Sequence, residues 1–383
     1  MTRPRTLLMA GTLLALMACQ NADRMPPKIA ITAPAFNSNV TGVTPVQITA
    51  SDDSGINKVR LYARQRGSTM KGVQVGVADQ EPYVVAWNTT NIPNNSDAEI
   101  YAEAQDNSGE VGVSDPVPLK NNNQNAPTLN YFAAYTLPTR TQVNANGLNI
   151  KKQMGDSISF SQPDLADLQP PPTKVKNAAK SSIQAQAENN DYFFEWNWKA
   201  HTQSSKYDLY LSAGDAVGPF EQVDAETSNA EAGTNLKTNR HYTGAVDAQK
   251  TFYGMIVANT NQGESPLSNA GATQFLLERP SNLSPVNNAI VSGGRPKITW
   301  QGVQGVDGYV FYLYDKNPLT EGSTAKRLWT NSPQTIAGTE AVYPDALPAL
   351  STGTYYWWVA GVKFVKKQAV ALTYSNPTRI LVQ

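Results

Sequence analysis

Residues 58–64 have the sequence KVRLYAR, and residues 99–106 have the sequence EIYAEAQD. In the first stretch apolar or small side chains alternate with longer polar ones, which places Val59, Leu61 and Ala63 on one face of an extended strand. The second stretch alternates in the same way. A period of two indicates strands with one buried and one wetted face, an arrangement typical of antiparallel sheets.

The rest of the chain repeats this pattern of short alternating stretches separated by turn residues. Charged residues make up only 16% of the 383 residues, whereas there are 26 glycines and 25 prolines, which favours strands and turns over charged helices. No heptad repeat or long helical period occurs. At roughly 100 to 200 residues per domain, the length predicts two to four domains. The sequence therefore predicts an all-β chain built from several antiparallel sandwiches.

The first module is predicted to span residues 27–120. It opens with the motif Pro-x-Ile-x-Ile-x-x-Pro at Pro27 and closes with Ser-Asp-Pro-Val, and between them it resembles a bacterial immunoglobulin-like domain of extracellular proteins. In that family a tryptophan lies at the edge of the core before a turn, a position that Trp87 occupies in PYVVAWNTT. The hydrophilic run NNNQNAP, residues 121–127, is predicted to be a linker.

The last module, residues 279–383, resembles a fibronectin type III domain. The resemblance lies in a strand that ends at Trp300, in the stretch GYVFYLYD and in the stretch GTYYWWVAGV. It implies two sets of inward-facing side chains, namely Tyr309, Phe311 and Leu313 on one strand and Tyr355, Trp357 and Val359 on another.

The middle module, residues 128–278, has a looser resemblance to the same family. Phe252, Ile256 and Ala258 occupy the inward frame of a strand, but Gly254 stands where the family often has an aromatic residue. The segment is also longer than such a domain needs. We expect the excess, at about residues 135–190, to be a loop or partly ordered insertion. The predicted fold is thus tandem immunoglobulin-like and fibronectin type III β-sandwiches joined by short linkers.

The N-terminus has the pattern of a secretory signal peptide, residues 1–18. Arg3 and Arg5 precede a short apolar run that is too brief to span a bilayer. The sequence Leu-Met-Ala-Cys at residues 16–19 resembles the bacterial lipobox, which implies that Cys19 carries a covalent lipid and that residues 19–26 form a tether. The alternative is an ordinary signal peptide followed by an accidental cysteine. In the lipoprotein family, the absence of Asp after the cysteine, where this chain has Gln20, implies the outer membrane.

Motifs of nucleophilic, metal and nucleotide chemistry are missing from the sequence. There is no Gly-x-Ser-x-Gly, HExxH, CxxC or phosphate-binding loop, and the single cysteine is assigned to the lipid. His201 and His241 are expected to be surface loop residues. The net charge of +0 does not favour nucleic acid as a partner. We therefore expect a protein that is not an enzyme and has no cofactor, although a glycosidase carboxylate pair is set by distance in space and is not tested by sequence.

Two features are candidates for binding. The first is a near-repeat of ASDDSGI and AQDNSGE, which places the oxygens of Asp52, Asp53, Asp106 and Asn107 in two turns at one end of the first sandwich. A weak calcium site is one interpretation. The other, which we favour, is that these residues serve only the tight turns in which they lie.

The second feature is an aromatic face on the last module. If the inward residues are as given above, then Tyr312, Tyr314, Tyr356 and Trp358 share the opposite face of two neighbouring strands. Such a face predicts a contact surface for a protein or for the sugar rings of a glycan. The alternative is packing against the middle module.

These expectations define two functions. The first is a non-enzymatic, lipid-anchored envelope protein that acts in adhesion, scaffolding or assembly through a protein partner. The second is a carbohydrate-binding envelope lipoprotein that uses the aromatic face. Both place the chain outside the cytoplasm and attach it to the membrane through the lipid.

Overall fold

A computed structural model describes most of the chain. The described residues are 24–138, 142–143, 149–150, 165, 168–172, 190–201, 204–227, 236–243, 246–247, 249–321 and 324–383.

The first module is a sandwich of two sheets. Its strands are β1 (Lys28–Ala33), β2 (Asn39–Val40), β3 (Val43–Ser51), β4 (Ile56–Gln65), β5 (Val73–Ala78), β6 (Tyr83–Asn88), β7 (Asp97–Asp106), β8 (Val111–Val113) and β9 (Val117–Asn121). One sheet has the order β1-β3-β6, and the other has the order β2-β9-β7-β4-β5 with β8 on β7. A 3-10 turn, Thr89–Asn91, follows β6.

The predicted alternation is confirmed in this module. Val59, Leu61 and Ala63 are fully buried in its core, as is Trp87 at 1% exposure. The opposite face of β4 and β7 carries cross-strand pairs, including an Arg64–Glu99 ion pair of 2.7 Å. One sequence period therefore builds an apolar interior and a charged exterior.

The middle module contributes ten further strands. They are β10 (Thr128–Pro138), β11 (Gln142–Val143), β12 (Asn149–Ile150), β13 (Asn190–Lys199), β14 (Ser204–Ala213), β15 (Glu221–Thr227), β16 (Leu236–Thr243), β17 (Phe252–Thr260), β18 (Gly263–Glu264) and β19 (Gly271–Thr273). One of its sheets has the order β15-β14-β17-β18, with β19 on β17.

The last module completes the fold. Its elements are β20 (Ser281–Ser284), β21 (Ala289–Val291), β22 (Lys297–Gln301), β23 (Gly308–Tyr314), the single helical turn α1 (Pro318–Glu321), β24 (Arg327–Thr330), β25 (Glu340–Val342), β26 (Gly353–Val365), β27 (Gln368–Tyr374) and β28 (Thr378–Val382). The sheet β20-β22-β25 covers one side of its sandwich. A 3-10 turn, Ser292–Gly294, follows β21.

The middle and last modules share one sheet. Its described strands run in the order β16-β13-β10-β27-β26-β23-β24, with β28 on β26 and β21 on β28. The two modules meet where β10 and β27 pair in parallel, with Ala134 opposite Ala371 and Thr136 opposite Thr373. We call this pairing the seam. The all-β tandem fold is confirmed, but the last two sandwiches lie side by side and are hydrogen-bonded to each other.

The shared sheet has apolar side chains on both faces. One face packs into the two sandwich cores, where Phe311, Trp357 and Val359 lie in the last module and Phe194, Trp196 and Ile256 lie in the middle one. These clusters confirm the inward registers that the sequence predicts. The other face carries a third cluster that crosses the seam.

Gly254 departs from the family pattern because of its neighbour on β10. A Cβ placed on Gly254 would lie 2.4 Å from a ring carbon of Phe132. Phe132 thus fills the space in which the family often has an aromatic side chain at position 254. The glycine at position 254 is thus explained by the ring that the neighbouring strand β10 places against it.

Two predicted boundaries change. The insertion begins after β10, not at residue 135, because β10 pairs with β13 from Thr128 opposite Lys199 to Pro138 opposite Asn190. Residues 121–127 do connect the first two modules, but Asn121 ends β9 and Asn123 is 4% exposed. His241 lies within β16 and not in a loop.

Candidate functional site

The predicted lipid site, Cys19, and the signal peptide lie outside the described residues. Within the part of the chain that the structure describes, no helix is long and apolar enough to cross a membrane.

The two acidic turns come together as the sequence predicts. The Asn107 side chain donates from Nδ2 to the Ser54 carbonyl over 2.7 Å, and its backbone N–H donates to the Gly55 carbonyl. Asp52 accepts hydrogen bonds from the backbone N–H and the hydroxyl of Ser54 at 2.9 and 2.8 Å. These bonds are the ones that tight turns require.

Asp106 serves its own turn in the same way. Its Oδ1 accepts from the N–H groups of Gly109 and Glu110. Among the described residues no group of three or more His, Cys, Asp or Glu side chains could hold a metal ion. Calcium binding by Asp52, Asp53, Asp106 and Asn107 stays a prediction, and the geometry favours the structural role.

The four aromatic side chains of the last module share one face, as predicted. β23 and β26 pair so that Tyr312 lies opposite Trp358, and Tyr314 lies opposite Tyr356. The prediction of an exposed contact surface is wrong, whereas the alternative, packing against the middle module, agrees with the structure. Tyr312 and Tyr314 are each 1% exposed, Trp358 is 0% exposed, and Tyr356 is half-buried. A face so covered offers neither a glycan nor a protein a surface on which to dock.

The seam is the reason for this burial. It places Tyr135, Leu137 and Phe193 of the middle module in the same cluster as Tyr312 and Trp358. We call this cluster, which also includes Tyr314, Tyr374, Leu165 and Leu168, the aromatic core. Tyr135 stacks on Phe193 with 4.5 Å between ring centroids, and Trp358 lies 4.9 Å from Tyr374. The face that looks solvent-directed in one module is thus the contact between two modules.

A buried carboxylate lies in this cluster. Glu195, 1% exposed, accepts hydrogen bonds of 2.9 Å from the hydroxyls of Tyr131 and Tyr135, and it forms an ion pair with Nε of Arg240. Burial, together with the charge of Glu195, raises the pKa of Tyr135 well above its ordinary value. The charge of Glu195 is matched on several sides, so the group holds β10, β13 and β16 together.

Burial acts on the tyrosines of the last module as well. It raises the pKa of Tyr314 to about 12, and it raises the pKa values of Tyr312 and Tyr374 well above 10. These hydroxyls therefore stay protonated at neutral pH. These tyrosines of the aromatic core are therefore uncharged, and their role is to pack the middle and last modules together.

A short part of the insertion crosses to the last module. Gln169 donates its N–H to the Pro333 carbonyl at 3.0 Å, and its own carbonyl accepts from the Thr335 N–H and hydroxyl at 3.1 and 2.7 Å. The Gln334 side chain donates to the Pro170 carbonyl at 2.8 Å. Residues 168–172 thus fasten the insertion of one module onto the other.

The junction between the first and middle modules is built from loop ends. The Gln65 N–H donates to the carboxylate of Asp215 at 3.0 Å, and the Tyr253 hydroxyl donates to Gln65 Oε1 at 3.0 Å. The backbone also bonds directly, from the Leu267 N–H to the Thr90 carbonyl. Asp215 is 3% exposed, so this contact excludes water.

The start of the predicted linker is fastened to the first module. Asn123 Oδ1 accepts from the Gly42 N–H at 2.8 Å, and its Nδ2 donates to the Thr89 carbonyl at 2.9 Å. Asn121 donates to the Ile92 carbonyl at 2.8 Å. Within the polar run that the sequence predicts as a linker, Asn121 and Asn123 thus form hydrogen bonds with the first module.

The sequence offers packing against the middle module as an alternative, but it predicts neither the paired strands of the seam nor the buried asparagines. A stretch of asparagines looks the same whether its amides face water or buried carbonyls. Parallel pairing between strands more than 200 residues apart leaves no local period. The one available signal was the near-continuous apolar run of β10, Tyr131 to Leu137, which is typical of a strand buried on both faces.

The fold and its junctions define a modular protein built from β-sandwiches. More particularly, residues 27–98 match the family model described as Bacterial Ig domain. No curated protein matches the chain.

Among solved structures, the chain is similar to the FN1–FN3 domains of chicken CNTN1 at 13% identity and a TM-score of 0.28, over 94% of this chain and 99% of that one. It is also similar to fibronectin(III)-like modules of Clostridium thermocellum CbhA at 12% identity and a TM-score of 0.21, over 64% of this chain and 92% of that one.

Proposed function

We propose that the chain is an exported protein of the bacterial cell envelope, anchored by a lipid on Cys19, that works without catalysis in adhesion, scaffolding or assembly. It acts through contact with a protein partner. The lipobox-like residues 16–19 support the anchor, and Gln20 favours the outer membrane. The bacterial Ig match supports an extracellular module.

The observation that carries the scaffold role is the construction of the two junctions. One is a continuous sheet across the seam, and the other includes hydrogen bonds that join Gln65 to Asp215 and Tyr253. Flexible chains of modules are joined by exposed polar linkers with few contacts. Junctions that are themselves hydrogen-bonded suit a rigid spacer that holds a binding surface at a fixed distance from a membrane.

The glycan-binding alternative is withdrawn because its surface is buried. The non-enzymatic role is supported by the absence of catalytic motifs in the sequence and by the pairing of the buried carboxylate Glu195 with Arg240.

The test is gentle detergent extraction of the native protein followed by mass spectrometry. We expect an acylated N-terminal peptide that begins at Cys19 and a stoichiometric envelope protein in the same complex. A Cys19→Ser variant is the control, and it should leave the membrane fraction while its folded modules stay intact. An unmodified N-terminus without any partner would contradict the proposal.

A further inference from the structure

The hairpin that joins β26 to β27 has an unusual turn. Val365 pairs with Gln368, and the two residues between them, Lys366 and Lys367, have φ values of 50° and 70°. A two-residue hairpin with positive φ at both positions is the type that asparagine and glycine favour. Lysine gains nothing from this geometry, because its Cβ clashes with the backbone there.

The chain follows the usual rule elsewhere. Among the described residues, every other position with positive φ is a glycine or an asparagine. The asparagines are Asn37, Asn95, Asn125, Asn282 and Asn288. Strained positions that persist against such a rule are typical of functional sites. The difference between lysine and asparagine is a positive charge, so the charge is the property to explain.

The surroundings of the turn are basic. Lys363, on the same hairpin, lies 3.5 Å from Asp307, and this is the ion pair nearest the turn in the described part of the chain. Lys366 and Lys367 are exposed, and the structure gives them no ion pair among the described residues. Val365 beside them is 49% exposed.

A further lysine comes from the middle module across the seam. Gln368 donates from Nε2 to the Asn130 carbonyl at 2.8 Å, which places the turn beside the start of β10. Lys199 pairs with Thr128 on that strand and is exposed. Since adjacent strands are about 4.8 Å apart, Lys199 lies about two strand spacings from the turn. We call Lys199, Lys363, Val365, Lys366 and Lys367 the basic tip.

We propose that the basic tip is the docking point for an acidic segment of the protein partner. The proposal deepens the proposed function and rests on it. Charge complementarity selects an anion, and the exposed valine between lysines adds the apolar contact that a protein segment supplies. The tip contains lysines only, without the arginine forks that match phosphate in a bidentate manner. A carboxylate-rich segment is therefore favoured over phosphate.

The experiment measures binding of fluorescein-labelled poly-L-glutamate to the full mature chain in nonionic detergent at low ionic strength. The test variant, Lys366→Asn with Lys367→Gly, gives the turn its preferred residues, so it should fold and melt at a higher temperature than the natural chain. We expect its affinity for poly-L-glutamate to fall about tenfold, because Lys366 and Lys367 supply most of the tip's charge once Lys363 is paired with Asp307.

The matched control is Lys316→Asn with Lys326→Gly, which removes the same charge from exposed positions near α1. It should bind as the natural chain does. Equal affinity of the test and control variants overturns the proposal, as does a clear preference for polyphosphate over poly-L-glutamate. None of these readouts depends on the lipid at Cys19, so either proposal can fail without the other.

Discussion

The two junctions of this molecule are built on opposite principles. The first module meets the middle one end to end, through loop tips, a few buried polar groups such as Asp215, and Val217, which packs into the first module's core. The middle module meets the last one side by side, through paired strands and an aromatic core. Polar contacts at loop tips can open while both modules stay folded, whereas a shared sheet cannot open without exposing a core. The chain is therefore one folding unit of two sandwiches with a separable first module.

The largest effect should come from dividing the chain at the second junction. Removal of residues 279–383 leaves β10 as a sheet edge and exposes its half of the aromatic core. Since each large apolar side chain contributes roughly 1.5–3 kcal/mol on burial, the loss exceeds the typical stability of a domain. We expect residues 20–278 to contain a folded first module and an unfolded or aggregated remainder, as measured by limited proteolysis.

The counterpart is removal of residues 124–383, which divides the chain at the first junction. Residues 20–123 should melt cooperatively by circular dichroism, because every buried member of their core except Val217 of the middle module lies within them. A stable middle module in the first truncation would show that the seam is a dispensable contact.

The next largest effect is expected at Trp358. This side chain is completely buried against Tyr374 and Tyr314, so Trp358→Ala should cost about 3–5 kcal/mol in the free energy of unfolding of the two-sandwich unit. Tyr356→Ala, at a half-buried position on the same strand, should cost less. Chemical denaturation followed by tryptophan fluorescence measures both. Equal, small losses in the free energy of unfolding would mean that the aromatic core does not stabilise the second junction.

The sequence predicts the registers of both strands but not this role. Alternation places Trp358 and Tyr312 on one face of the sheet and Trp357 and Phe311 on the other face, and the structure agrees. Whether the second face meets water depends on a strand more than 200 residues away. Period-two patterning tells which side chains share a face, and only tertiary pairing decides what covers it. Because the sequence does not show what covers a residue, it also predicts the buried Asn123 as part of an exposed linker.

The buried carboxylate should rank third. Glu195→Ala removes the ion pair with Arg240 and the hydrogen bonds that Glu195 accepts from two tyrosine hydroxyls, and breaking a buried pair in this way costs about 3 kcal/mol or more. The control is Glu340→Ala, which removes an ion pair with Lys297 that is more than half exposed and should cost less than about 1 kcal/mol. Thermal melts of both variants measure these two losses of stability. Similar shifts would contradict the assigned importance of the Glu195 cluster.

Alkaline pH should destabilise the unit formed by the middle and last modules. The pKa of Tyr314 is raised to about 12 in the folded state, against about 10 when unfolded, so its stabilising contribution is complete below pH 10 and is lost as pH rises towards 12. Two pKa units correspond to about 3 kcal/mol. We expect the two-sandwich unit to lose stability over this range, as read from tyrosine absorbance and circular dichroism. Unchanged stability between pH 10 and 12 would mean that Tyr314 is not buried in this way.

The smallest effect should appear at the first junction, at Asn123. Its side chain accepts from the Gly42 N–H, so Asn123→Ala removes the acceptor of this half-buried group at a cost of about 1–3 kcal/mol. The Thr89 carbonyl, to which Asn123 also donates, keeps its bonds from Asn121 and from the Ile92 N–H. The neighbouring Asn122→Ala is the control, because that side chain is exposed and its backbone bond to the Val40 carbonyl is retained.

Because the first junction is polar and local, the loss caused by Asn123→Ala should be confined to the first module. Hydrogen exchange should therefore rise in β2, β6 and β9 and stay unchanged in β10 and β27. Faster exchange that spreads across the seam would mean that the two junctions are coupled, and that all three modules unfold as one.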